Sequence, residues 1–416
     1  MKKLFAMLLS AAMVVSLCAC GGADTATEAT SETAAVEETA EATAETTEPA
    51  ETAEAVDAAG AADIKVGVIY IGDENEGYSA NHLNGLKEAQ AALGISDDQV
   101  LCKYNVPETE DAYEAAIDLA EQGCNIIFAT SFGHESYVFQ AAAEYPNIQF
   151  CHATGNSAMN SELTNVHNYF YAVYESRYVS GVVAGMKLAQ MIEDGTITAE
   201  NAKIGYVGAF PFAEVISGFT SFFLGARSQC PSVTMEVRYT NSWADMALEK
   251  ETAEALIADG CVLISQHADT TGAPTACEAA GVPCVGYNVS MISVAPDSAL
   301  TSAAVVWGPY YTYAAKCLID GEEIATDWCK GYVDGAVEIK ELNEKVVAAG
   351  TEETVNAVIE KLKNGELHVF DTSTFTVDGK TLEDETYVWD GYYHESELAS
   401  APSFTYIVDG ITVPEA

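Results

Sequence analysis

Apolar runs with the length of β-strands alternate with helical segments of ten or more residues from residue 63 to about residue 340. The first run covers 64–71, and a helical stretch over 78–93 follows it. Strands separated by helices of this length favour a parallel sheet with helices on both faces. The clearest strands, such as 64–71 and 124–130, are largely apolar, which is typical of strands buried on both faces. The sequence therefore predicts an α/β fold.

The alternation is interrupted once, by a long helical stretch over 174–192, and then starts again. The predicted strands are 64–71, 99–104, 124–130 and 147–153 before this stretch and 203–209, 233–240, 261–266 and 282–287 after it. Two such units in tandem predict two doubly wound parallel-sheet lobes joined by a hinge. About 350 residues are enough for two lobes with separate cores.

The later part of the chain is expected to cross between the lobes. Strand 299–306 and helix 309–320 are predicted to return to the first lobe, and 331–342 to the second. The predicted domains are lobe 1 (63–168 and 288–330), lobe 2 (169–287 and 331–342) and a C-terminal extension (343–416). The end of this extension, 371–416, is strand-like and aromatic, and the pattern assigns it no place.

The first 62 residues have the character of an export signal and a tether. Lys2 and Lys3 precede an apolar run over 4–17, which is shorter than the ~20 residues of a membrane-spanning helix and fits a signal peptide over 1–19. The sequence around Cys20 resembles a bacterial lipobox, which implies cleavage before Cys20 and a diacylglycerol on its sulfur; an ordinary secretory signal is the alternative. Residues 20–62 are rich in Ala, Thr and Glu, which predicts a disordered acidic tether.

The charge and the cysteine content of the chain limit which partners and which redox chemistry are expected. The net charge is -45, from 63 acidic and 18 basic residues, so nucleic acid is a poor partner. Of 11 cysteines, nine lie beyond Cys18 and Cys20, and several are inside apolar runs without any CxxC spacing. We therefore predict mostly free thiols, although exported proteins usually pair their cysteines.

Aromatic, amide, hydroxyl and acidic residues cluster where the predicted strands end. Ligands of open α/β sheets bind beyond the carboxyl ends of the strands, and aromatic walls with a few polar groups would hold a flat polar solute. The candidate ligand-binding residues are Tyr78, Ser131, Phe132, Gly133, Phe210, Asn241, Trp243, His267, Asp269, Asn288, Ser290 and Trp307.

Catalytic and cofactor motifs are absent from the sequence. There is no GxSxG, no HExxH, no Walker loop and no GxGxxG. His267 and Asp269 share a loop, but two potential ligands are weak support for a metal site. We expect no cofactor, no bound metal and no enzymatic activity.

At these loops the sequence resembles the basic membrane protein (BMP) family of lipoprotein solute receptors, relatives of the type I periplasmic binding proteins. The resemblance covers most of residues 63–340 and depends on the order and spacing of several short segments. They are TSFG at 130–133, HATG at 152–155, YESRYVSG at 174–181, IGYV at 204–207, FP at 210–211, LGARS at 224–228, NSW at 241–243, QHAD at 266–269 and WGPYY at 307–311.

This resemblance implies two hinged lobes that close on a purine base or nucleoside and dock with an ABC permease. It implies stacking by Phe132, Phe210 and Trp243 and recognition of the ligand's polar edge by Asn241, His267 and Asp269. Relatives commonly carry acids where this chain has Asn288 and Ser290, which puts the exact ligand in question.

The expected function is that of a monomeric solute-binding lipoprotein on the outer face of the cell membrane. The alternatives are a sensor that presents its ligand to a membrane receptor, a receptor for a sugar or another solute, and an exported nucleoside hydrolase. The hydrolase would need an acid/base pair or a metal held by acids, and the sequence has neither at a recognisable spacing.

Overall fold

A computed structural model describes residues 63–414. Its nine α-helices are α1 (Gly77–Leu93), α2 (Glu110–Glu121), α3 (Glu135–Glu144), α4 (Val173–Glu193), α5 (Ala213–Gln229), α6 (Met246–Ala258), α7 (Gly272–Ala280), α8 (Gly308–Asp320) and α9 (Thr351–Lys363).

The same residues contain fifteen strands. They are β1 (Val66–Ile69), β2 (Val100–Lys103), β3 (Ile126–Ala129), β4 (Gln149–Ala153), β5 (Val166–Tyr171), β6 (Lys203–Gly208), β7 (Thr234–Tyr239), β8 (Leu263–His267), β9 (Cys284–Tyr287), β10 (Ala299–Val305), β11 (Asp327–Lys330), β12 (Val337–Ile339), β13 (Val388–Trp389), β14 (Tyr392–Tyr393) and β15 (Ile411–Thr412).

The first lobe is built on a six-stranded sheet in the order β11-β5-β4-β3-β1-β2. All of its strand pairs are parallel. The central strands β1 and β3 consist wholly of buried residues, because helices cover both faces of a parallel sheet.

The second lobe is built on a seven-stranded sheet in the order β12-β10-β9-β8-β6-β7-β15. Its strands are parallel except for β12, which runs antiparallel to β10. Helices α4 and α5 pack tightly together, because Gly181, Gly185 and Gly225 bring the two backbones so close that an added Cβ would meet backbone atoms at 2.0–2.2 Å. The two sheets confirm the predicted α/β fold with parallel-sheet lobes.

One strand lies in the other lobe from the one predicted. Ala299–Val305 pairs with β9 in the second sheet, with Thr301 opposite Val285, so its assignment to the first lobe is wrong. The chain crosses to the first lobe only after this strand. The evidence is that α8, the next helix, packs against α1 of the first lobe. An apolar parallel strand carries no sequence mark of the sheet that receives it, which is why the pattern could not place it.

Two strands of the first sheet were not predicted. Val166–Tyr171 contains His167 and Asn168, which break the apolar pattern although both are buried. They are tolerated because they hydrogen-bond inside the lobe: Asn168 Oδ1 accepts from the Ala158 N–H at 2.7 Å. The second missed strand, Asp327–Lys330, lies beside β5 at the edge of the sheet and is only partly buried.

The C-terminal extension packs mainly on the second lobe. Helix α9 contacts α4, and β15 adds a parallel strand to the edge of the second sheet, with Ile411 opposite Met235. The stretch predicted to be strand-like is mostly irregular and contains only three two-residue strands. Its aromatic residues form a core instead, in which Phe370 and Phe404 stack with ring centroids 4.4 Å apart.

The nine cysteines between Cys102 and Cys329 are all free, as predicted. Across the described range, 63–414, no helix has the length and apolarity needed to cross a membrane. The predictions for the signal peptide, for Cys20 and for the tether lie outside that range.

Candidate functional site

A small cavity lies where the carboxyl ends of the two sheets meet. Each lobe contributes five residues to its wall: Ile71, Tyr78, Ser131, Phe132 and Thr154 from the first, and Glu214, Trp243, His267, Asp269 and Tyr287 from the second.

The strand ends position these side chains. Ser131 and Phe132 follow β3, while His267 and Tyr287 are the last residues of β8 and β9. Thr154 follows β4 in the left-handed backbone region, with φ of 70°. Its Oγ1, like Nε1 of Trp243, is buried and has no hydrogen-bond partner in the described chain. Both atoms are therefore available to a ligand.

A band of four aromatic rings runs along the cavity from one lobe to the other. Phe132 of the first lobe packs on Phe212 of the second, with centroids 5.2 Å apart. Phe212 stacks on Phe210 at 5.1 Å, and Phe210 meets Trp243 at 5.2 Å and 63°. Phe132 and Trp243 line the cavity from different lobes, and Phe210 contacts Trp243 without lining the cavity.

The lobes are in contact around the cavity. The N–H of Gly77, in the first lobe, donates to the carbonyl oxygen of Asp269 in the second at 3.1 Å. The N–H of Asp269 donates in turn to the carbonyl oxygen of Trp243 at 2.9 Å. The bond between Gly77 and Asp269 and the contact between Phe132 and Phe212 define a closed arrangement of the lobes.

Two carboxyl groups face the cavity, and both have a raised pKa. Burial, reinforced by the nearby carboxyls of Glu76, Glu249 and Glu214, raises the pKa of Asp269 well above its ordinary range. Burial raises the pKa of Glu214 to about 7, and the positive charge of Arg177 partly opposes this rise. Asn288 stabilises Asp269 by donating from Nδ2 to its Oδ1 at 2.7 Å.

Arg177 is fully buried behind the second-lobe wall. Its Nη1 donates to the carbonyl oxygen of Gln266 at 2.7 Å, and its Cζ lies 3.6 Å from the ring centroid of Tyr287. Burial and the charge of Arg177 lower the pKa of His267 well below its usual range. His267 is therefore neutral, with Nε2 3.3 Å from Glu214 Oε1.

Six of the twelve residues predicted from the sequence line the cavity: Tyr78, Ser131, Phe132, Trp243, His267 and Asp269. Gly133 stands beside it and donates its N–H to Glu108 Oε1 at 2.7 Å. Asn288 lies behind Asp269 rather than on the wall.

Three other predicted residues lie away from the cavity. Asn241 is exposed in a turn with φ of 54°, a conformation that asparagine tolerates well. Ser290 donates to Glu341 Oε1 at 2.6 Å. Trp307 is 1% exposed and stacks on His82, with ring centroids 3.6 Å apart, in the first-lobe core.

Four wall residues were missed: Ile71, Thr154, Glu214 and Tyr287. Thr154 follows a predicted strand, so the strand-end rule could have included it. Nothing in the sequence marked Glu214 as a site residue. Acids are common in the first turn of a helix, because they interact favourably with the helix dipole there. Among residues 63–414, no group of three or more His, Cys, Asp or Glu side chains is arranged to hold a metal ion.

Comparison with known proteins identifies relatives over most of the chain. The model of the Bmp family, described as ABC transporter substrate-binding protein PnrA-like, matches residues 64–373. A purine-binding protein of Brucella abortus is 33% identical over 343 residues, covering 79% of this chain and 91% of that protein. A putative ABC transporter glucose-binding protein of Haloferax volcanii is 32% identical over 289 residues, covering 69% and 70%.

A solved structure agrees with the fold. The solute-binding protein of an ABC transporter system from Aeropyrum pernix superposes with a TM-score of 0.62 at 18% identity, covering 77% of this chain and 94% of that one. At this level of identity the likeness shows the architecture alone.

Proposed function

Because the chain belongs to the Bmp family of PnrA-like ABC transporter substrate-binding proteins, we propose that its interlobe cavity binds a purine base or nucleoside for delivery to a permease. Membership places the chain among substrate-binding proteins and not among enzymes. The finer proposals concern its ligand and its attachment to the membrane.

The observation that carries the ligand proposal is the pairing of aromatic walls with buried acids. Phe132 and Trp243 line the cavity from different lobes, and a flat ligand held between the lobes would stack on these rings. Asp269 and Glu214 line the cavity from the second lobe, where they can hydrogen-bond the edge of that ligand. The Brucella relative, named a purine-binding protein, supports the same ligand class.

The charge of the cavity argues for an unphosphorylated ligand. Its wall includes two acids and no Lys or Arg. The nearby Arg177 does not line the cavity; its Nη1 donates to the carbonyl oxygen of Gln266, and its guanidinium lies over the ring of Tyr287. A phosphate would find no cation in this wall to offset its charge, and an uncompensated charge in a water-poor site is strongly unfavourable. We therefore expect bases and nucleosides to bind and nucleotides to be rejected.

The ligand proposal is tested by a thermal-shift screen of the purified protein with adenine, hypoxanthine, adenosine, guanosine, AMP and glucose. A ligand at 100 times its Kd adds roughly 2.7 kcal/mol to the free energy of unfolding, which raises Tm by a few degrees. Trp243→Leu should weaken purine binding by about tenfold or more. Trp389→Leu, which changes a half-exposed tryptophan of the extension, should leave binding unchanged.

A second candidate ligand is a sugar, and the observation in its favour is the glucose-binding name of the Haloferax relative. Aromatic walls and carboxyls also suit a sugar ring. A shift with glucose and none with any purine would select this candidate. A role as a sensor would leave ligand binding intact but make solute uptake independent of the protein.

Attachment to the membrane is proposed through Cys20. Its support is the signal-like start of the chain and the lipobox-like residues Leu17–Cys18–Ala19–Cys20–Gly21. Cys20→Ser should move the protein from the membrane fraction to the medium or the periplasm. Cys18→Ser, two residues earlier, should leave it in the membrane fraction. Equal membrane retention of both variants would contradict the lipid anchor.

A further inference from the structure

Asp269 is held so that one of its carboxyl oxygens is engaged and the other is not. Its Oδ1 accepts from Asn288 Nδ2 at 2.7 Å. Its Oδ2 receives no hydrogen bond from any residue in the range 63–414, although the side chain lines the cavity and the residue is only 6% exposed. The backbone on both sides is fixed by the bonds to Gly77 and Trp243. Oδ2 is therefore free to contact a ligand, and Oδ1, with one lone pair engaged by Asn288, keeps its second lone pair as an acceptor.

The groups around Asp269 are acids and phenols from four elements. Glu76 approaches from the start of α1, Glu214 from α5 and Glu249 from α6. Tyr78 of α1 and Tyr287 of β9 also face it. Within the described chain no Lys, Arg or His lies within ion-pair distance of its carboxyl group. An ionised Asp269 would be a buried charge among like charges, which is strongly unfavourable.

We propose that Asp269 recognises its ligand as a neutral carboxylic acid, donating from Oδ2 and accepting at Oδ1, and that Asn288 is the residue that positions it. This inference rests on the proposed function and deepens it. A neutral carboxyl group offers one donor beside one acceptor. It is complementary to a base with a ring-nitrogen acceptor next to an N–H donor.

That complementarity names a ligand class within the purines. Adenine presents the N6 amino donor beside the N7 acceptor, whereas guanine presents two acceptors, O6 and N7, on the same edge. A neutral acid can satisfy both atoms of the adenine edge at once, but an ionised carboxylate can only accept. When the ligand presents this edge, a neutral acid therefore pairs better with aminopurines such as adenine than with 6-oxopurines.

Asn288 is suited to a positioning role. Its N–H donates to the carbonyl oxygen of Ala303 at 2.9 Å, which ties it to β10, and its φ of 65° turns the side chain back toward Asp269. The residue is fully buried and does not line the cavity. By donating to Oδ1 it assigns that oxygen as the acceptor and leaves the acid proton on Oδ2.

The test is calorimetric titration of the purified protein and its variants with adenine. Asp269→Asn keeps one donor and one acceptor in the same place, so its affinity should stay within about tenfold of the original. Asp269→Leu removes both, and its affinity should fall by about 100-fold or more because the ligand edge is left unpaired. Circular dichroism and the unliganded Tm verify that both variants fold.

The pH profile separates recognition from a structural role. With a neutral Asp269, adenine affinity should fall as pH is raised above the pKa of this carboxyl, and Asp269→Asn should remove that fall. Asn288→Ala removes the hydrogen bond that lowers this pKa, so it should weaken binding and move the fall to higher pH. A merely structural Asn288 would change affinity without moving the profile.

The outcomes distinguish this inference from the proposed function. If adenine and the other purines do not bind the unmodified protein, the proposed function fails and the inference fails with it. If adenine binds, but Asp269→Asn loses as much affinity as Asp269→Leu, Asp269 acts as an ionised acceptor and the inference alone is overturned. Retention of affinity in Asp269→Asn with loss in Asp269→Leu supports it.

Discussion

The N–H of Gly77 in the first lobe donates to the carbonyl oxygen of Asp269 in the second at 3.1 Å, next to the side chain proposed to recognise the ligand. A Cβ on Gly77 would lie 3.0 Å from that oxygen, which is closer than ordinary contact. The closed arrangement thus favours glycine at this position, because a Cβ would push the two lobes apart by a few tenths of an ångström here.

Gly77→Ala should therefore weaken ligand binding by about tenfold while leaving the unliganded fold intact. Alanine suits the first turn of a helix better than glycine does, so Tm without ligand should be unchanged or slightly higher. Calorimetric affinity and unliganded Tm are the two measurements. Unchanged affinity would mean that this contact does not form in the liganded state.

The buried Glu249 should make stability depend on pH. Burial raises its pKa from 4.5 to about 7, so the folded state binds this proton more tightly than the unfolded chain does. The free energy of unfolding should then decrease as pH rises from about 4.5 to about 7. This group contributes at most on the order of 3 kcal/mol to the decrease.

Urea unfolding at about pH 5 and about pH 8 measures this effect. Glu249→Gln should reduce the difference between the two pH values. Glu254→Gln, an exposed change on the same helix, should preserve it. The same difference in both variants would assign the pH dependence to other groups.

Arg227 should anchor the C-terminal extension to α5. Its Nη2 donates to the carbonyl oxygen of Thr374 at 2.7 Å, and its Nη1 donates to that of Asp409 at 3.2 Å. Arg227→Ala should lower the free energy of unfolding by about 1–3 kcal/mol. It should also speed hydrogen exchange over 374–412 more than elsewhere, whereas Lys250→Ala, in an exposed ion pair, should do neither.

The cysteines should titrate as thiols. Denatured protein that has never been reduced should release nine reactive thiols from Cys102 to Cys329. Burial raises the pKa of the Cys124 and Cys261 thiols to about 11, so the folded protein should react far more slowly than the denatured one. A count of one would show that eight of the nine are paired.

Much of the fold follows from local sequence properties, because a buried parallel strand must be apolar and must be followed by a helix. This accounts for β1, β3, β6 and β8. It fails for β5, where His167 and Asn168 are buried because lobe-internal hydrogen bonds satisfy them. It also fails for β10, since the choice of sheet depends on which edge is available.

The candidate site, too, could be predicted only in part from the sequence. The strand-end rule brought Phe132, Trp243 and Asp269 to the cavity, because the carboxyl ends of parallel strands lie together by geometry. The rule does not tell which way a side chain points, so Trp307 was included although it is buried in the first-lobe core. Arg177 acts through its neighbours from a helix, where sequence position carries no sign of the cavity behind it.

The last strand of the chain, β15, covers part of β7 at the edge of the second sheet. A molecule shortened at its C-terminus would expose the N–H and C=O groups of that edge. Open strand edges promote pairing between molecules. Loss of these few residues should therefore appear first as aggregation during storage or after proteolytic trimming, before any change in the cavity is measurable.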